Sequence, residues 1–464
     1  MLSRIRGAAP VLVALAAAIA AGAAVAVDPR FLAVEALLLL VLASLFYPGT
    51  WWQLAPLAIL VVSPSIFVDS VGNPLPNGDA AQKALLIVVL LCLLITAGGR
   101  WSTIGGAAVA TIGIAFVVSA LDIGGAIDVE MGTAARAFIG YALPWTFLFV
   151  NWRRIGVARG LTFLAQLPLW CLVAGLLLQF AGITTVLRVE DTGVPRLQGA
   201  SLPAHLAMLA LIGLTASLCL LASAHAPRGP QTFLWAGLNL VVLIGTATRG
   251  ALVVGCLVTL AFVAQSLLRK RSVTRRAKRA AWLVTGVGGA AMVFAAPELI
   301  RRSMGNSYEG TFNTSGRDQA WEFFYGLASQ SPVTGRGLGF ATVAVQMFAP
   351  PHVQKQFVAP HNEYIHLVLD GGVFFALGLL AAMMALFYRA ARAQRGTTRW
   401  TVAAFAVGVL FYSAIDNTFS TPQFTVLVVM LLGLLAAHPA PDAAAPPAAI
   451  DHTRVPVPAG GGRS

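Results

Sequence analysis

Residues 359–375 read APHNEYIHLVLDGGVFF, and after Asp370 the chain carries no further charge until Arg389. An apolar run of that length approaches the ~20 residues with which a helix crosses the hydrocarbon core of a bilayer. His361, Glu363, His366 and Asp370 stand at its entrance. Ionisable groups beside or inside a membrane are costly and call for a reason.

The same alternation of apolar run and polar break recurs outward in both directions. Spans are expected near residues 8–27, 31–47, 51–68, 80–97, 103–120, 135–150, 160–183, 202–223, 231–247, 250–268, 280–297, 361–388, 400–415 and 420–437. Over 464 residues the chain is 58% hydrophobic and 11% charged, where a soluble globule carries about 25% charge. The fold class is therefore all-α and polytopic, a bundle of 12 to 14 transmembrane helices over residues 1–437 with one long hydrophilic loop at 298–360. Arg4, Arg6, an apolar core and AVAV also fit a secretory signal at the first span, and either reading leaves residue 28 outside. Residues 438–464, rich in Pro, Ala and Gly, read as a disordered cytoplasmic tail. No internal repeat is evident.

Charge orients the bundle. With the N-terminus inside, the inner loops collect Arg100, Arg153, Arg154, Arg159, the basic stretch RKRSVTRRAKR at 269–279, Arg389, Arg392, Arg395 and Arg399, and no acid precedes the tail on that side. This is the positive-inside pattern. The net charge of +13 is then a topology signal, and nucleic-acid binding is excluded as its reading. The four cysteines, Cys92, Cys171, Cys219 and Cys256, all fall within expected spans and read as buried structural residues.

The loop at 298–360 is expected on the outer face. Ser315-x-x-Asp318 has the form of a capping box, and Trp321, Phe324, Tyr325 and Ala328 follow at helical spacing, the pattern of an amphipathic helix on the membrane surface. GRGLG at 335–339 reads as a phosphate-cradling turn or as a plain turn. Arg196 in EDTGVPRLQGASLPAH, Arg249 in GTATRGALVV and Arg317 at the start of the surface helix reach the same face. Arg196 and Arg317 alone read at least equally as arginines snorkelling from a helix end, whereas Arg249, between apolar runs with no headgroup loop around it, favours the functional reading. Together with His361 they form an expected anion site with a base beside it.

His366 and Asp370, spaced i, i+4, are expected to satisfy one another, and Glu363 to be a favourable charge in a first helical turn. His205, His352, His361 and His366 show no HExxH spacing, so no metal site is expected, and no cofactor either.

PHNEYIHLVLDGGVFFALG resembles the His-Asn motif of the O-antigen ligase and polymerase superfamily. TRGALVV is similar to its Ser/Thr-Arg-Gly helix start, SGRDQAWEFF…SPVTGRGLGFAT to its Gly-Arg…Trp…Pro…Gly-x-Gly segment, and PRLQGASLPAHLAML to its Arg-x-x-Gly…Pro stretch. The resemblance covers roughly residues 160–437, with a departure at Ala204-His205, where many relatives have Asn after the Pro. It implies a C-type glycosyltransferase bundle in a bacterial cytoplasmic membrane, with its site facing outward. The implied reaction takes a glycan from undecaprenyl diphosphate to the hydroxyl of an acceptor glycolipid or glycan, with inversion and without a metal. His361 and Arg249 would be catalytic, Arg196, Arg249 and Arg317 would bind the diphosphate, and Asn362 would support them. The acceptor separates a ligase, using lipid A core, from a polymerase, using the growing glycan. Protein glycosylation is less expected, for want of a large domain after the last span. A lipid-linked sugar flippase is the rival from another class. Such carriers place polar residues at mid-membrane on repeat-related broken helices, whereas these residues cluster at span ends.

Overall fold

The computed structural model describes residues 31–63, 78–123, 127–189, 193–223, 230–268, 275–304, 317–354, 357 and 359–440. The first expected span, Ser315 and the tail beyond residue 440 lie outside them. Helix α1 (Phe31–Phe46) leads through a 3-10 helix (Trp51–Val61) to α2 (Gly78–Ala97), α3 (Thr103–Ala120) and α4 (Met131–Thr146). The short α5 (Trp152–Ile155) precedes α6 (Val157–Phe180), and an antiparallel pair, β1 (Leu187–Val189) and β2 (Pro195–Leu197), crosses to α7 (Pro203–Ala222). Then follow α8 (Gln231–Gly245), α9 (Arg249–Leu268), α10 (Arg275–Met304), α11 (Arg317–Ala328), α12 (Phe340–Phe348), α13 (Pro351–Gln354), α14 (Glu363–Ala393), α15 (Gly396–Ser413) and α16 (Pro422–Ala437).

Among the described residues, six helices are long and apolar enough to cross a membrane: α3, α6, α7, α9, the Ala277–Pro297 part of α10, and α14. Shorter apolar helices, including α8 and α16, complete the bundle. The chain is an all-α, multi-pass membrane protein.

Helix α7 is the axis, buried along nearly its whole length and packed by α6, α8, α9, α15 and α16. Lipid tails are as apolar as leucine, so the helices associate through close packing and hydrogen bonds. Asn239 on α8 supplies such bonds, donating from Nδ2 to the Ala165 carbonyl of α6 at 2.9 Å and to Ser217 Oγ of α7 at 3.3 Å. At Gly408 on α15, a Cβ would meet Val254 Cγ1 of α9 at 2.3 Å, so the absent side chain lets those two helices close.

The structure changes four expectations. The expected span 51–68 begins as an 11-residue 3-10 helix, because Pro56 inside it has no N–H to donate and the chain leaves helical geometry at Val62. The run 361–388 is interrupted at Gly372, where φ is +76° and a Cβ would lie 1.9 Å from the Val333 carbonyl oxygen. Gly335-Arg336-Gly337 packs into this break, with Arg336 N donating to the Leu369 carbonyl at 2.7 Å and Val373 N to that of Pro332 at 2.8 Å. The GRGLG stretch is thus a turn wrapped on α14, and Leu338 N donates to Ser119 Oγ at 3.0 Å. Third, α11 buries Ala320, Phe324, Leu327 and Ala328 in a small separate core with α12 and Leu369, while Tyr325 is exposed. That helix rests on protein, because its apolar stripe is centred one position away from the one expected. Last, Cys256 faces outward from α9, and the other three cysteines are buried.

Candidate active site

The site is organised by the turn joining α15 to α16, residues 414–421. Asp416 projects from it, nearly covered, and its Oδ1 lies 3.1 Å from His361 Nδ1. Tyr412 donates its hydroxyl to Asp416 Oδ2 at 3.2 Å, and Arg317 Nη2 stands 3.9 Å from the same oxygen. Arg317 also donates through Nη1 to the Ile415 carbonyl. One carboxylate therefore joins a histidine and a guanidinium that the sequence separates widely.

His361 and Glu363 attach the start of α14 to this turn, with Asn362 between them. His361 adopts a left-handed backbone, φ +48°, a conformation that non-glycine residues hold only when their surroundings impose it. The imposition is visible on both sides: Trp321 Nε1 of α11 holds the Pro360 carbonyl at 3.0 Å, and Asn362 begins the helix. Asn362 Oδ1 accepts from the backbone N–H of Tyr364 at 3.0 Å and of Ile365 at 3.2 Å, a standard N-cap arrangement. Glu363 is fully buried and accepts from Thr418 N at 2.7 Å, Ser420 N at 2.9 Å and Ser420 Oγ at 2.9 Å. It is more than a favourable first-turn charge, since it fastens the turn that carries Asp416.

The other arginines arrive through α9. Arg196 on β2 is buried, donating from Nε to the Thr246 carbonyl at 2.8 Å and from Nη2 to Thr248 Oγ1 at 2.8 Å. It braces the turn from which α9 starts at Arg249, and Ala247 within that turn is a second left-handed non-glycine residue, φ +49°. Gly250 follows; a Cβ there would meet Ile415 Cδ1 and Tyr412 Cδ2 at 2.7 Å, so its absence seats the start of α9 on the Asp416 turn. Arg196 and Arg317 are both within electrostatic reach of Tyr412. His361, Arg196, Arg249 and Arg317 are thus gathered round one corner, with Asn362 capping beside them.

Burial by itself raises the pKa of Asp416, but the hydrogen bond to His361 and the positive charge of Arg317 outweigh it and hold the carboxyl below the usual carboxylate range. An ionised carboxylate can only accept, so the Nδ1 facing it is the nitrogen that carries a proton, which leaves Nε2 as the one open to exchange. His361 remains about a third exposed, at 31%. The imidazole is thus fixed through one nitrogen and presents the other.

His366 and Asp370 lie elsewhere. Their closest atoms are 3.7 Å apart, beyond a good hydrogen bond. Asp370 is satisfied by other partners, Ala341 N of α12 at 2.8 Å and the Tyr141 hydroxyl of α4 at 2.9 Å. Arg336 pairs with Asp128, its Nε donating at 2.7 Å. Among the described residues, no three His, Cys, Asp or Glu side chains are grouped as metal ligands would be.

Asp416 is the residue that the sequence did not reveal. It stands in SAIDNTFS, a stretch with no spacing rule, and only its position next to a polar span end could have drawn attention to it.

No curated protein matches the chain. A family model described as O-antigen ligase matches residues 233–380, which hold Arg249, Arg317 and His361, while Arg196 and Asp416 join the site from outside the matched stretch. Across residues 233–380 the chain is similar to the O-antigen ligase family.

Proposed function

We propose that the protein transfers a glycan from undecaprenyl diphosphate to an acceptor hydroxyl on the outer face of the bacterial cytoplasmic membrane, as an O-antigen ligase or related surface-polysaccharide ligase. The observation that carries this reading is Asp416 between His361 and Arg317, which sets a base and a cation on one carboxylate. A polymerase would use the same chemistry on a growing glycan. A flippase needs no oriented base, and the Nδ1-anchored His361 favours transfer.

In this mechanism the acceptor oxygen attacks the anomeric carbon, and its proton passes to His361 Nε2. Asp416 stabilises the imidazolium that forms. The bond from the anomeric carbon to the phosphate oxygen breaks with its electron pair on the diphosphate, so the anomeric centre inverts. Charge that develops on the leaving diphosphate meets fixed guanidinium groups, whose donors need no rearrangement. Arg249 and Arg317 contact the diphosphate, and Arg196 adds charge while holding the turn before Arg249. The arginines take the role that a divalent ion plays in other diphosphate chemistry.

The test is reconstitution of the purified protein with a lipid-linked glycan and an acceptor glycolipid. Transfer is expected from the wild type and is expected to be lost in His361→Ala at unchanged protein level. Arg249→Lys keeps the charge but loses the two-pronged geometry, and should lose most activity as well. Full transfer by His361→Ala would end the general-base assignment.

A further inference from the structure

At the end of the bundle away from His361, a small cleft opens between α3, α14 and α16. Arg389, in its wall, and His361 stand near opposite ends of α14, whose 31 residues span roughly 45 Å. That exceeds the ~30 Å thickness of a hydrocarbon core, so the two lie at opposite faces of the membrane. Arg392 in the last turn of α14 and Arg399 in the first turns of α15 share the end that holds the cleft. The cleft encloses about 50 Å³, room for roughly four water-sized groups, which is the number of oxygens around a phosphorus.

The walls are fixed by the backbone and by close packing. Arg100 N donates to the Phe149 carbonyl at 2.7 Å and Asn151 N to that of Gly98 at 2.9 Å, which laces the residues before α3 to the link between α4 and α5. Trp152 also lines the cleft, and it packs on α16 at Gly433, where a Cβ would stand 2.9 Å from its Nε1. Trp101 lines the cleft too, is 76% exposed and lies back over Gly106, where a Cβ would stand 3.2 Å from its Cζ2. An exposed tryptophan at the end of a span is suited to the level of lipid headgroups. Arg100 and Arg389 are the charged residues of the lining, which contains no acid. Two like charges bordering so small a cleft repel, and an anion between them turns repulsion into attraction. Away from the cleft α3 faces outward along most of its length, with Ile114 and Val117 exposed, and α14 exposes Leu377 and Met384.

We propose that this cleft binds the headgroup of an anionic glycerophospholipid, with its phosphate between Arg100 and Arg389 and its acyl chains along the exposed apolar faces of α3 and α14. Guanidinium forks match pairs of phosphate oxygens. Ser102, also in the lining, accepts from Gly105 N at 3.2 Å and keeps its hydroxyl proton for the headgroup. A free phosphate ion would use the same arginines but not the apolar faces, and the exposed Trp101 beside the cleft favours the lipid. The inference is independent of the glycan transfer proposed above. Bound lipid would hold the far end of the helix that begins beside His361.

The experiment titrates the full chain, in a neutral detergent, with dioleoyl phosphatidylglycerol or dioleoyl phosphatidylcholine and counts retained lipids by native mass spectrometry. Each arginine near a headgroup is worth about fivefold in affinity, so the anionic lipid is expected to bind roughly thirtyfold more tightly than the zwitterionic one. Arg100→Gln and Arg389→Gln, both at exposed positions, should each cost about fivefold of that preference, and the double variant should abolish it. The double variant Arg392→Gln with Arg399→Gln removes the same charge from the same end but outside the cleft, and should keep the preference. Millimolar inorganic phosphate should not displace the bound lipid. Equal binding of the two lipids would overturn the site, as would a preference that survives loss of Arg100 and Arg389. An equal loss in the two double variants would assign the preference to the basic end as a whole and overturn the cleft, and displacement by inorganic phosphate would overturn the lipid as its occupant.

Discussion

His361 Nδ1 lies 3.1 Å from Asp416 Oδ1, across 55 positions of sequence. Asp416 is a positioning residue, acting on the reaction through the imidazole it orients. Asp416→Asn keeps the shape but can present an N–H to Nδ1, which favours the wrong tautomer. Transfer is expected to fall roughly a hundredfold in kcat, with little change in the KM for the lipid-linked donor. Steady-state kinetics of the reconstituted variant check this; an unchanged kcat would detach Asp416 from the mechanism.

The same carboxylate predicts a pH signature in stability. Its folded pKa lies below the ordinary value of about 3.9, so its contribution is fully present above that value and is lost as pH falls through the folded one. The difference in thermal midpoint between wild type and Asp416→Asn should be largest above about pH 5 and should shrink below about pH 4. Midpoints in detergent across that range measure it, and a difference that widens in acid would contradict the sign.

Glu363 receives three hydrogen bonds from Thr418 and Ser420. Glu363→Gln would turn an amide N–H₂ toward donors, so about 2 kcal/mol of stability should be lost. Chemical unfolding and transfer assays are expected to decline together, because the turn that loosens carries Asp416.

Gly250→Ala places a methyl group 2.7 Å from both Ile415 and Tyr412. Overpacking of this kind typically costs about 1–3 kcal/mol. The start of α9, and Arg249 with it, should move away from the corner, with a larger effect on transfer than on protein level. Quantified membrane yield beside activity separates the two.

Orientation and metal use are each open to a direct test. In a background without the native cysteines, Gln330→Cys, two residues beyond the end of α11, should label from outside with an impermeant thiol reagent. Ser272→Cys, in the basic stretch between α9 and α10, should label only from inside. Purified protein should keep its transfer rate in excess EDTA; activity lost and then restored by Mg²⁺ or Mn²⁺ would contradict a site built on arginine alone.

The sequence by itself determined the medium and the apolar helices, and it drew attention to a set of polar residues at their ends. Apolar runs are local and so is backbone helicity, which is why α3 begins and ends where its run of residues 103–120 does. His361 and the three arginines were legible because charge at the end of an apolar run is conspicuous. Tertiary structure alone decided what each of them touches. Asp416, an ordinary loop acid in the sequence, became the partner of His361 because α14 and α15 pack side by side. Glu363 became a clasp for the same reason, and Arg196 a brace for the turn before Arg249. The interruption of α14 at Gly372 also depends on the fold, since Val333 and Pro332 must arrive against it to use the break. Periodicity is set by the backbone over a few residues, whereas hydrogen-bond partners far apart in sequence are chosen by the packing of whole helices.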